Sequence, residues 1–418
     1  MVQSLPVRLF DERVGNLGHE RGRLELAYVG HPARGIAQRL PPRAAPYPDQ
    51  DCRSFIANLL PEGDWRALLC RRLQLPPTQD FELLQHLGHD CAGAITFAEP
   101  SSDHAAADAY RPLPEPELRR WLRDPLLRPS PADAPGLRRA LAGAQDKLVI
   151  HLADGEPYLC ERGAPSTVIL KPDISEGFKR IELSALNELF CMHLAGVVGL
   201  RVAKSFWFGG AFAVARFDRV QQGSRLSRLH QEDFVQLLGL MPAAKYDVSW
   251  RQCFDLVDRH VAAAEQARRE LIERLFFNLL IGNCDAHGKN FALLFKAGGA
   301  ELAPAYDLLC TQVYPSLSAA FSMRIGPARR QDELTALAWQ DLARNARLPL
   351  EWIQQRGAEL SSSLQLALKE IGPQVLALNP ALKADIYPAR RRDDFFHKLA
   401  DIMVGNCKRV ARSLLARA

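Results

Sequence analysis

The spacing of apolar residues changes at about residue 218, and this change constrains the fold more than any other feature of the chain. Before it, short runs alternate between apolar and polar residues, which is typical of strands with one buried face. These runs lie at 147–152, 167–170 and 206–217. After it, apolar residues recur at the spacing of a helix. The helical segments lie at 231–238, 253–261, 264–281 and, three or more of them, beyond Leu334.

A region between residues 100 and 136 is rich in proline and small residues, as linkers are. Ahead of it, short strands and two helical stretches indicate a small α+β unit. Behind it, a helical stretch at 182–198 lies between strands. We therefore predict three regions. They are an N-terminal α+β subdomain at 1–110, a β-rich lobe at 111–217 and a helical lobe at 218–418.

The composition is that of a globular protein. Of the 418 residues, 47% are hydrophobic and 24% charged, which excludes a disordered chain and a small disulfide scaffold. The nine cysteines are scattered without zinc-ligand spacing, so we expect free thiols. No signal peptide and no apolar stretch of about 18 residues is present, which predicts a cytoplasmic protein without a membrane contact. The net charge of +5 is too small to indicate a partner.

Polar residues are concentrated at 283–290, between two strongly apolar segments. A carboxylate followed five residues later by an asparagine is the pattern that phosphoryl transfer requires. Asp285 would accept the proton of a hydroxyl, and Asn290 would hold a metal ion. Lys289 would offset charge on the phosphoryl group, and His287 would be a packed support. A second carboxylate, Asp307, follows Tyr306; it would bind Mg²⁺, or it would cap a turn.

Two features upstream fit the same chemistry. Residues 142–147 form a small-residue turn whose backbone N–H groups are free to cradle phosphate, or an ordinary turn before a strand. Lys171 ends an apolar strand; it would reach a phosphate and pair with Glu182 or Glu188, or it would lie in water. Taken in order, these features predict a two-lobed, protein-kinase-like fold.

The motifs resemble those of the HipA family of bacterial serine/threonine kinases, which are toxins of toxin–antitoxin pairs. The similarity covers nearly the whole chain. It rests on residues 58–62, 142–147, 169–172, 216–219, 230–234, 283–290 and 304–307.

The resemblance implies ATP and Mg²⁺ as cofactors. The residues expected to bind ATP are Ala142, Gly143, Ala144, Gln145, Asp146, Lys147, Lys171, Ala215, Arg216, Phe217, His287, Asn290, Tyr306 and Asp307. Of these, residues 142–147 would lie over the phosphates, and the backbone of 215–217 would form the adenine hinge. Asp285 would be the proton acceptor, with Asn290 and Asp307 as magnesium ligands.

The resemblance also implies a function. The chain would phosphorylate an aminoacyl-tRNA synthetase, block translation and arrest growth, and a HipB-like DNA-binding antitoxin would be its partner. DNA would then be contacted only through the antitoxin. Two alternatives stay open, namely a kinase-like co-repressor without activity and a kinase for a small molecule or lipid.

The chain departs from the family pattern at two positions. Many members carry a serine just before the turn at 142–147, and its autophosphorylation ejects the loop and silences the kinase. Here that position is Ala140, so inactivation by this route is not expected. In the hinge, Ala215 stands where a glutamate is frequent.

Overall fold

The structure is a computed structural model that describes residues 3–97, 109–124, 127–128, 142–143, 145–161, 163–176, 179–223, 225–377 and 389–415. In chain order these residues form β1 (Gln3–Leu9), β2 (Glu12–Glu20), β3 (Arg23–Tyr28), β4 (Tyr47–Pro48), α1 (Asp49–Leu59), α2 (Gly63–Leu73), α3 (Asp80–Leu87), β5 (Ile95–Thr96), β6 (Tyr110–Pro112), α4 (Glu115–Arg123), β7 (Leu148–Ala153), β8 (Glu156–Cys160), β9 (Val168–Lys171), β10 (Ile174–Glu176), β11 (Lys179–Ile181), α5 (Ser184–Val197), β12 (Ser205–Phe208), β13 (Ala211–Ala215), β14 (Arg219–Gln222), β15 (Arg225–Arg228), β16 (His230–Asp233), α6 (Phe234–Leu238), α7 (Trp250–His260), α8 (Ala264–Ile281), β17 (Ala292–Lys296), β18 (Gly299–Leu302), α9 (Ala336–Ala346), α10 (Leu350–Ala377) and α11 (Ala389–Leu415).

The chain divides into two compact units, and each is built from separate stretches of sequence. The first comprises Met1–Arg180, Ala213–Ala244 and Ala292–Ala297. The second comprises Ile181–Phe212, Lys245–Phe291 and Gly298–Ala418. The helix predicted at 182–198, which is α5, therefore groups with the helical part and not with the β-rich lobe. These units do not coincide with the sequence regions 1–110, 111–217 and 218–418, whose boundaries stay a prediction.

An antiparallel sheet of order β4-β3-β2-β1-β5 begins the first unit. Its strands alternate as the sequence predicts; in β3, Leu24 and Leu26 are buried while the residues between and before them are exposed. Helix α1 buries its apolar face against the same core, through Phe55 and Leu59 among others. The short strands and the two helical stretches predicted in this part of the chain are present, with the additional helix α2.

The second sheet of the first unit carries the strand that ends in Lys171. It has six strands in the order β12-β13-β9-β7-β8-β6, with Leu148 of β7 opposite Leu170 of β9. The prediction of one helix over 231–238 is wrong in its first part. Residues 230–233 form β16, which pairs with β17, and the helix α6 begins only where the Asp233 side chain accepts a hydrogen bond from the Gln236 N–H at 2.8 Å.

Helix α8 lies in the core of the second unit, where α7, α10 and α11 pack against it. It is apolar on most sides, and its Phe276 ring stacks on Trp339 of α9 at 5.3 Å. The helix ends at Gly282, whose φ of +74° is the left-handed conformation that glycine adopts without strain. The residues that follow Gly282 are therefore placed by a rigid, buried element.

All nine cysteines are buried free thiols, as the sequence predicts. Within the described ranges, no helix combines the length and the apolarity that crossing a membrane requires.

Candidate active site

The turn after α8 is shaped by two asparagines. The Asn283 N–H donates to the Asn278 carbonyl at 2.8 Å, which closes the end of the helix. The Asn283 side-chain amide donates to Asn278 Oδ1 at 2.8 Å, and its own Oδ1 accepts from the Asp285 N–H at 3.1 Å. Asn283 therefore fixes the backbone on which Asp285 stands.

Asp285 lies beside two hydroxyl groups. Ser322 Oγ is 3.3 Å from Asp285 Oδ1, and it also donates to the Cys284 carbonyl at 2.9 Å. The second hydroxyl, that of Tyr246, hydrogen-bonds the same carboxylate, and its side chain is half exposed. The carboxyl of Asp285 is thus held by protein groups while solvent still reaches it.

The pKa of Asp285 is raised above its ordinary value. The first cause is desolvation by the protein around the carboxyl, and the second is the negative charge of Asp307. Lys245 and the two hydroxyls act in the opposite direction without compensating for it. A raised carboxyl pKa in a polar loop is typical of functional sites.

Asn290 and Asp307 form a pair. Asn290 Nδ2 donates to Asp307 Oδ2 at 2.7 Å, and Asn290 Oδ1 accepts from the His287 N–H at 2.9 Å. The Asp307 backbone has a φ of +60°, which is unfavourable for a residue other than glycine. Strained residues of this kind occur where a side chain must be held at a functional position. The alternative in which Asp307 only caps a turn does not explain the side-chain pairing with Asn290.

The remaining predicted residues of this loop support its backbone. Tyr306 Oη donates to the Lys289 carbonyl at 2.7 Å, which ties the two segments together. His287 is buried, and its ring meets Tyr246 edge-on at 5.3 Å. Lys289 is buried as well. The second unit thus brings together six predicted residues, which are Asp285, His287, Lys289, Asn290, Tyr306 and Asp307.

The donor set in this unit fits a magnesium ion. Mg²⁺ is bound in proteins by one or two carboxylates together with substrate phosphates and water. Asp307 and Asn290 supply the carboxylate and amide oxygens, and a cation beside them would offset the like charges that raise the pKa of Asp285. In the described part of the chain, no group of three or more His, Cys, Asp or Glu side chains forms a metal site. A cation bound here would therefore take its further ligands from nucleotide and water.

Lys171 and the turn at 142–147 belong to the first unit. Lys171 is 6% exposed, so the alternative of a lysine in water is wrong. In the turn, Gly143 has a φ of +112°, and Lys147 Nζ donates to the Ala142 carbonyl at 2.5 Å. The Asp146 carboxylate pairs with Arg128 at 2.5 Å. Ala144 and Ala140 lie outside the described residues.

The predicted hinge at 215–217 is anchored by its arginine. The Arg216 N–H donates to the Thr167 carbonyl at 2.8 Å, so it is used within the sheet. The Arg216 guanidinium is buried against Asp90 and Asp218. Which backbone groups of the hinge meet adenine stays a prediction.

The two glutamates considered as partners of Lys171 differ. Glu182 is exposed and pairs with Arg391 of α11. Glu188 is buried on α5.

Four residues described above were not predicted from the sequence. In the second unit they are Lys245, Tyr246 and Ser322, beside Asp285, and in the first unit Arg128, which pairs with Asp146. Ser322 is 37 residues from Asp285 in the chain, and no local pattern links them. Tyr246 follows one of the eleven lysines in an arginine-rich sequence, which is the only signal that pointed to this segment.

Two family models match the sequence. Residues 139–367, more than half of the chain, match the HipA-like C-terminal domain, and residues 5–98 match the HipA N-terminal domain. The chain belongs to the HipA family. This confirms the resemblance found in the motifs.

Two curated bacterial proteins also have sequences similar to this chain. The protein Y4mE of Sinorhizobium fredii is 35% identical over 393 residues, which are 91% of this chain and 90% of that protein. The serine/threonine-protein kinase toxin HipA of Shewanella oneidensis is 31% identical over 294 residues, or 65% of this chain and 66% of the toxin.

The fold is that of a solved HipA. In the Shewanella oneidensis complex of HipA, HipB and operator DNA, the matching chain has a TM-score of 0.80 and 24% sequence identity. The match covers 99% of this chain and 100% of the other. The predicted α+β, kinase-like fold is thereby confirmed.

Proposed function

We propose that this HipA-family chain transfers the γ-phosphoryl group of ATP to a serine or threonine hydroxyl of another protein. The observation that carries this proposal is the grouping of Asp285 with the Asn290–Asp307 pair on a loop set by a buried helix. A base next to a carboxylate–amide metal site is what phosphoryl transfer needs. A kinase for a small molecule would need the same groups, so the acceptor must be identified by experiment.

Asp285 is the group that accepts the proton of the attacking hydroxyl. Desolvation by the surrounding protein raises the pKa of Asp285 whether or not a cation is bound, and this makes it a better base than an ordinary aspartate, since proton affinity rises with pKa. Ser322 and Tyr246 orient its carboxylate, and an incoming hydroxyl replaces one of them as hydrogen-bond partner. Lys289 offsets negative charge near the transferring group.

Asn290 and Asp307 are proposed to hold Mg²⁺. The cation would supply positive charge against the phosphates when bound. The His287 N–H and the Asn290 amide keep this pair in place before any ligand arrives. Preorganisation of this kind lowers the cost of binding.

The nucleotide-binding residues of the first unit are proposed from the resemblance. Residues 142–147 would meet the phosphates, Lys171 would contact them, and 215–217 would face the adenine. The burial of Lys171 supports this assignment, because a lysine side chain is seldom buried without a partner.

We further propose that the acceptor is an aminoacyl-tRNA synthetase and that its modification arrests growth. The Shewanella relative is a serine/threonine-protein kinase toxin, which supports the growth arrest, while the synthetase is proposed from the family resemblance alone. A kinase that uses ATP and modifies synthetases would act in the cytoplasm. The test is phosphate transfer from labelled ATP to each purified synthetase by wild type and by Asp285→Ala. Transfer to one synthetase by wild type alone is the expected result, and equal incorporation with both proteins would remove the proposal.

A HipB-like antitoxin is the proposed partner, and DNA would be contacted only through it. The solved complex of the Shewanella HipA with HipB and operator DNA supports this assignment. A co-repressor without kinase activity is the second candidate, and the same complex favours it equally. Growth of cells that express Asp285→Ala distinguishes the two, because only a kinase toxin loses its effect with that substitution.

A further inference from the structure

Arg128 is buried against the predicted phosphate-binding turn. Its side chain is 4% exposed, and its two terminal nitrogens donate to the two oxygens of Asp146, at 2.5 and 2.7 Å. This is the parallel two-bond geometry that a guanidinium and a carboxylate form at their strongest. The negative charge of Asp146 is therefore neutralised within the protein.

The guanidinium is itself held from the other side. Arg128 Nε donates to the carbonyl of Trp121, a fully buried residue of α4, at 3.1 Å. The Trp65 ring of α2 faces the guanidinium at 5.7 Å. Arg128 thus links the turn to two helices, and its position leaves little freedom to rotate.

The main chain of the turn is attached independently. The Glu62 N–H donates to the Gly143 carbonyl at 3.1 Å, and Pro61 and Gly143 form a parallel bridge. Further along, Gln145 Nε2 donates to the Pro172 carbonyl at 3.0 Å. The turn is therefore fastened to the N-terminal subdomain at Gly143, to β9 near Lys171, and to Arg128 between the helices.

We propose that Arg128 is a positioning residue that holds the 142–147 turn in the conformation that receives ATP, acting through Asp146 without touching the nucleotide. This inference rests on the proposed function, because it assumes that ATP is the ligand. Two physical effects follow from the pair. Asp146 no longer repels the phosphates, and the backbone of the turn is fixed at Gly143, Gln145 and Asp146 before the nucleotide binds. Asp146 then contributes to ATP binding by fixing the turn and not by contact.

The geometry requires arginine at this position. A lysine would keep the charge, but it would make one hydrogen bond to Asp146 where the guanidinium makes two. It could not also donate to the Trp121 carbonyl in the same plane. A glutamine would leave the Asp146 charge without a cation. The effects should therefore increase in the order Arg128→Lys, Arg128→Gln.

The experiment uses the full chain with four variants. These are Arg128→Lys, Arg128→Gln, Asp146→Asn and the double variant Arg128→Gln/Asp146→Asn. Arg111→Gln is the matched control, because it breaks an exposed pair of the same unit, Arg111–Glu161 at 3.0 Å. Two quantities are measured for each protein: amide hydrogen exchange of residues 142–147 without nucleotide, and the dissociation constant of ATP with Mg²⁺ by calorimetry. Exchange in α8 reports whether the rest of the protein remains folded.

We expect Arg128→Lys to weaken ATP binding by about tenfold and Arg128→Gln by more, with faster exchange in the turn and unchanged exchange in α8. The double variant should be no weaker than either single one, because the two residues act through each other. The control should change binding less than about twofold. Unchanged exchange in the turn, or faster exchange with unchanged ATP binding, would overturn the inference. If wild type binds no ATP, the proposed function fails, while the exchange data still decide whether Arg128 fixes the turn.

Discussion

Two groups of charged side chains in this protein are organised in opposite ways. In the first unit, the buried Asp90 pairs with Arg216 at 3.1 Å and with Arg219 at 2.7 Å, and Asp218 pairs with Arg216 at 2.7 Å. In the second unit, Asp285 has Asp307 as a charged neighbour, and nearby Lys245 does not compensate for it. The carboxylates of the first group are paired with buried arginines, whereas the strongest charge acting on Asp285 is that of another carboxylate.

The pKa values reflect this difference. Burial alone would raise the pKa of Asp218, but the charges of Arg216 and Arg219 bring it below its ordinary value. For Asp285, desolvation and the charge of Asp307 raise the pKa. A cluster of paired charges contributes to one specific fold, whereas a carboxyl whose pKa is raised by burial and a like charge binds a proton more readily.

The largest expected effect is on activity at Asp285. Asp285→Asn removes the proton acceptor, and phosphate transfer should fall by about 10²- to 10⁴-fold, the usual contribution of a general base. The measurement is the initial rate with labelled ATP and the acceptor that wild type modifies. Asp332→Asn, an exposed aspartate of the same unit, is the control and should keep nearly full activity. Retention of the rate by Asp285→Asn would show that this carboxylate is not the base.

Asp90→Asn should have the largest effect on stability. It removes one of the two carboxylates that Arg216 and Arg219 share, and breaking a buried pair costs about 3–5 kcal/mol. Urea unfolding, followed by circular dichroism, gives the free energy. Asp341→Asn, which breaks an exposed pair with Arg344, should cost less than about 1 kcal/mol. Equal losses for the two variants would contradict the structural role of the cluster.

Ser322→Ala should reduce the turnover number by about tenfold, since one hydrogen bond to a charged group is lost. The KM for ATP should change little, because Ser322 orients the Asp285 carboxylate, which is proposed to meet the acceptor hydroxyl and not ATP. Ser322→Thr keeps the hydroxyl and should restore most of the rate. If the threonine variant is as slow as the alanine variant, the hydroxyl has no role in orientation.

The smallest predicted effect is on the stability of the folded protein, and on how the contribution of Asp285 to that stability changes with pH. A carboxyl whose pKa is raised on folding destabilises the folded protein above that pKa, and this cost disappears as the pH falls toward the unfolded value of 3.8. Asp285→Asn should therefore be slightly more stable than wild type at pH 7, by less than about 1 kcal/mol because solvent screens the group. The gain should vanish near pH 4. Thermal unfolding of wild type and Asp285→Asn between pH 4 and pH 7 tests the sign of this stability difference. A variant less stable than wild type at pH 7 would contradict the prediction.

Much of the fold was predictable because its signals are local. The 3.6-residue spacing in 264–281 and the Gly282 that follows predicted both α8 and its end. Residues 231–233 were assigned wrongly to a helix. A strand this short, followed directly by a helix, contains too few residues to show the two-residue alternation of a strand. Pairing with β17, about 60 residues away, decides their conformation.

The site was predictable only along one loop. The spacing of Asp285 and Asn290 is a local pattern, and Tyr306–Asp307 follows closely. Ser322 and Arg128 were missed because their roles come from contacts over long sequence separations. A serine or an arginine has no distinctive sequence environment when its partner is brought near only by folding.

The proposed magnesium-dependent nucleotide site consists of Asp307 with Asn290 and Asp285. Calorimetric titration of ATP into the full chain tests it most directly, with Mg²⁺ and with EDTA, for wild type and for Asp307→Asn. We expect wild type to bind ATP at least about tenfold more tightly with Mg²⁺ than with EDTA, and Asp307→Asn to lose that difference. Equal affinities of wild type and Asp307→Asn for ATP, with Mg²⁺ and with EDTA, would contradict a magnesium-dependent nucleotide site at Asp307.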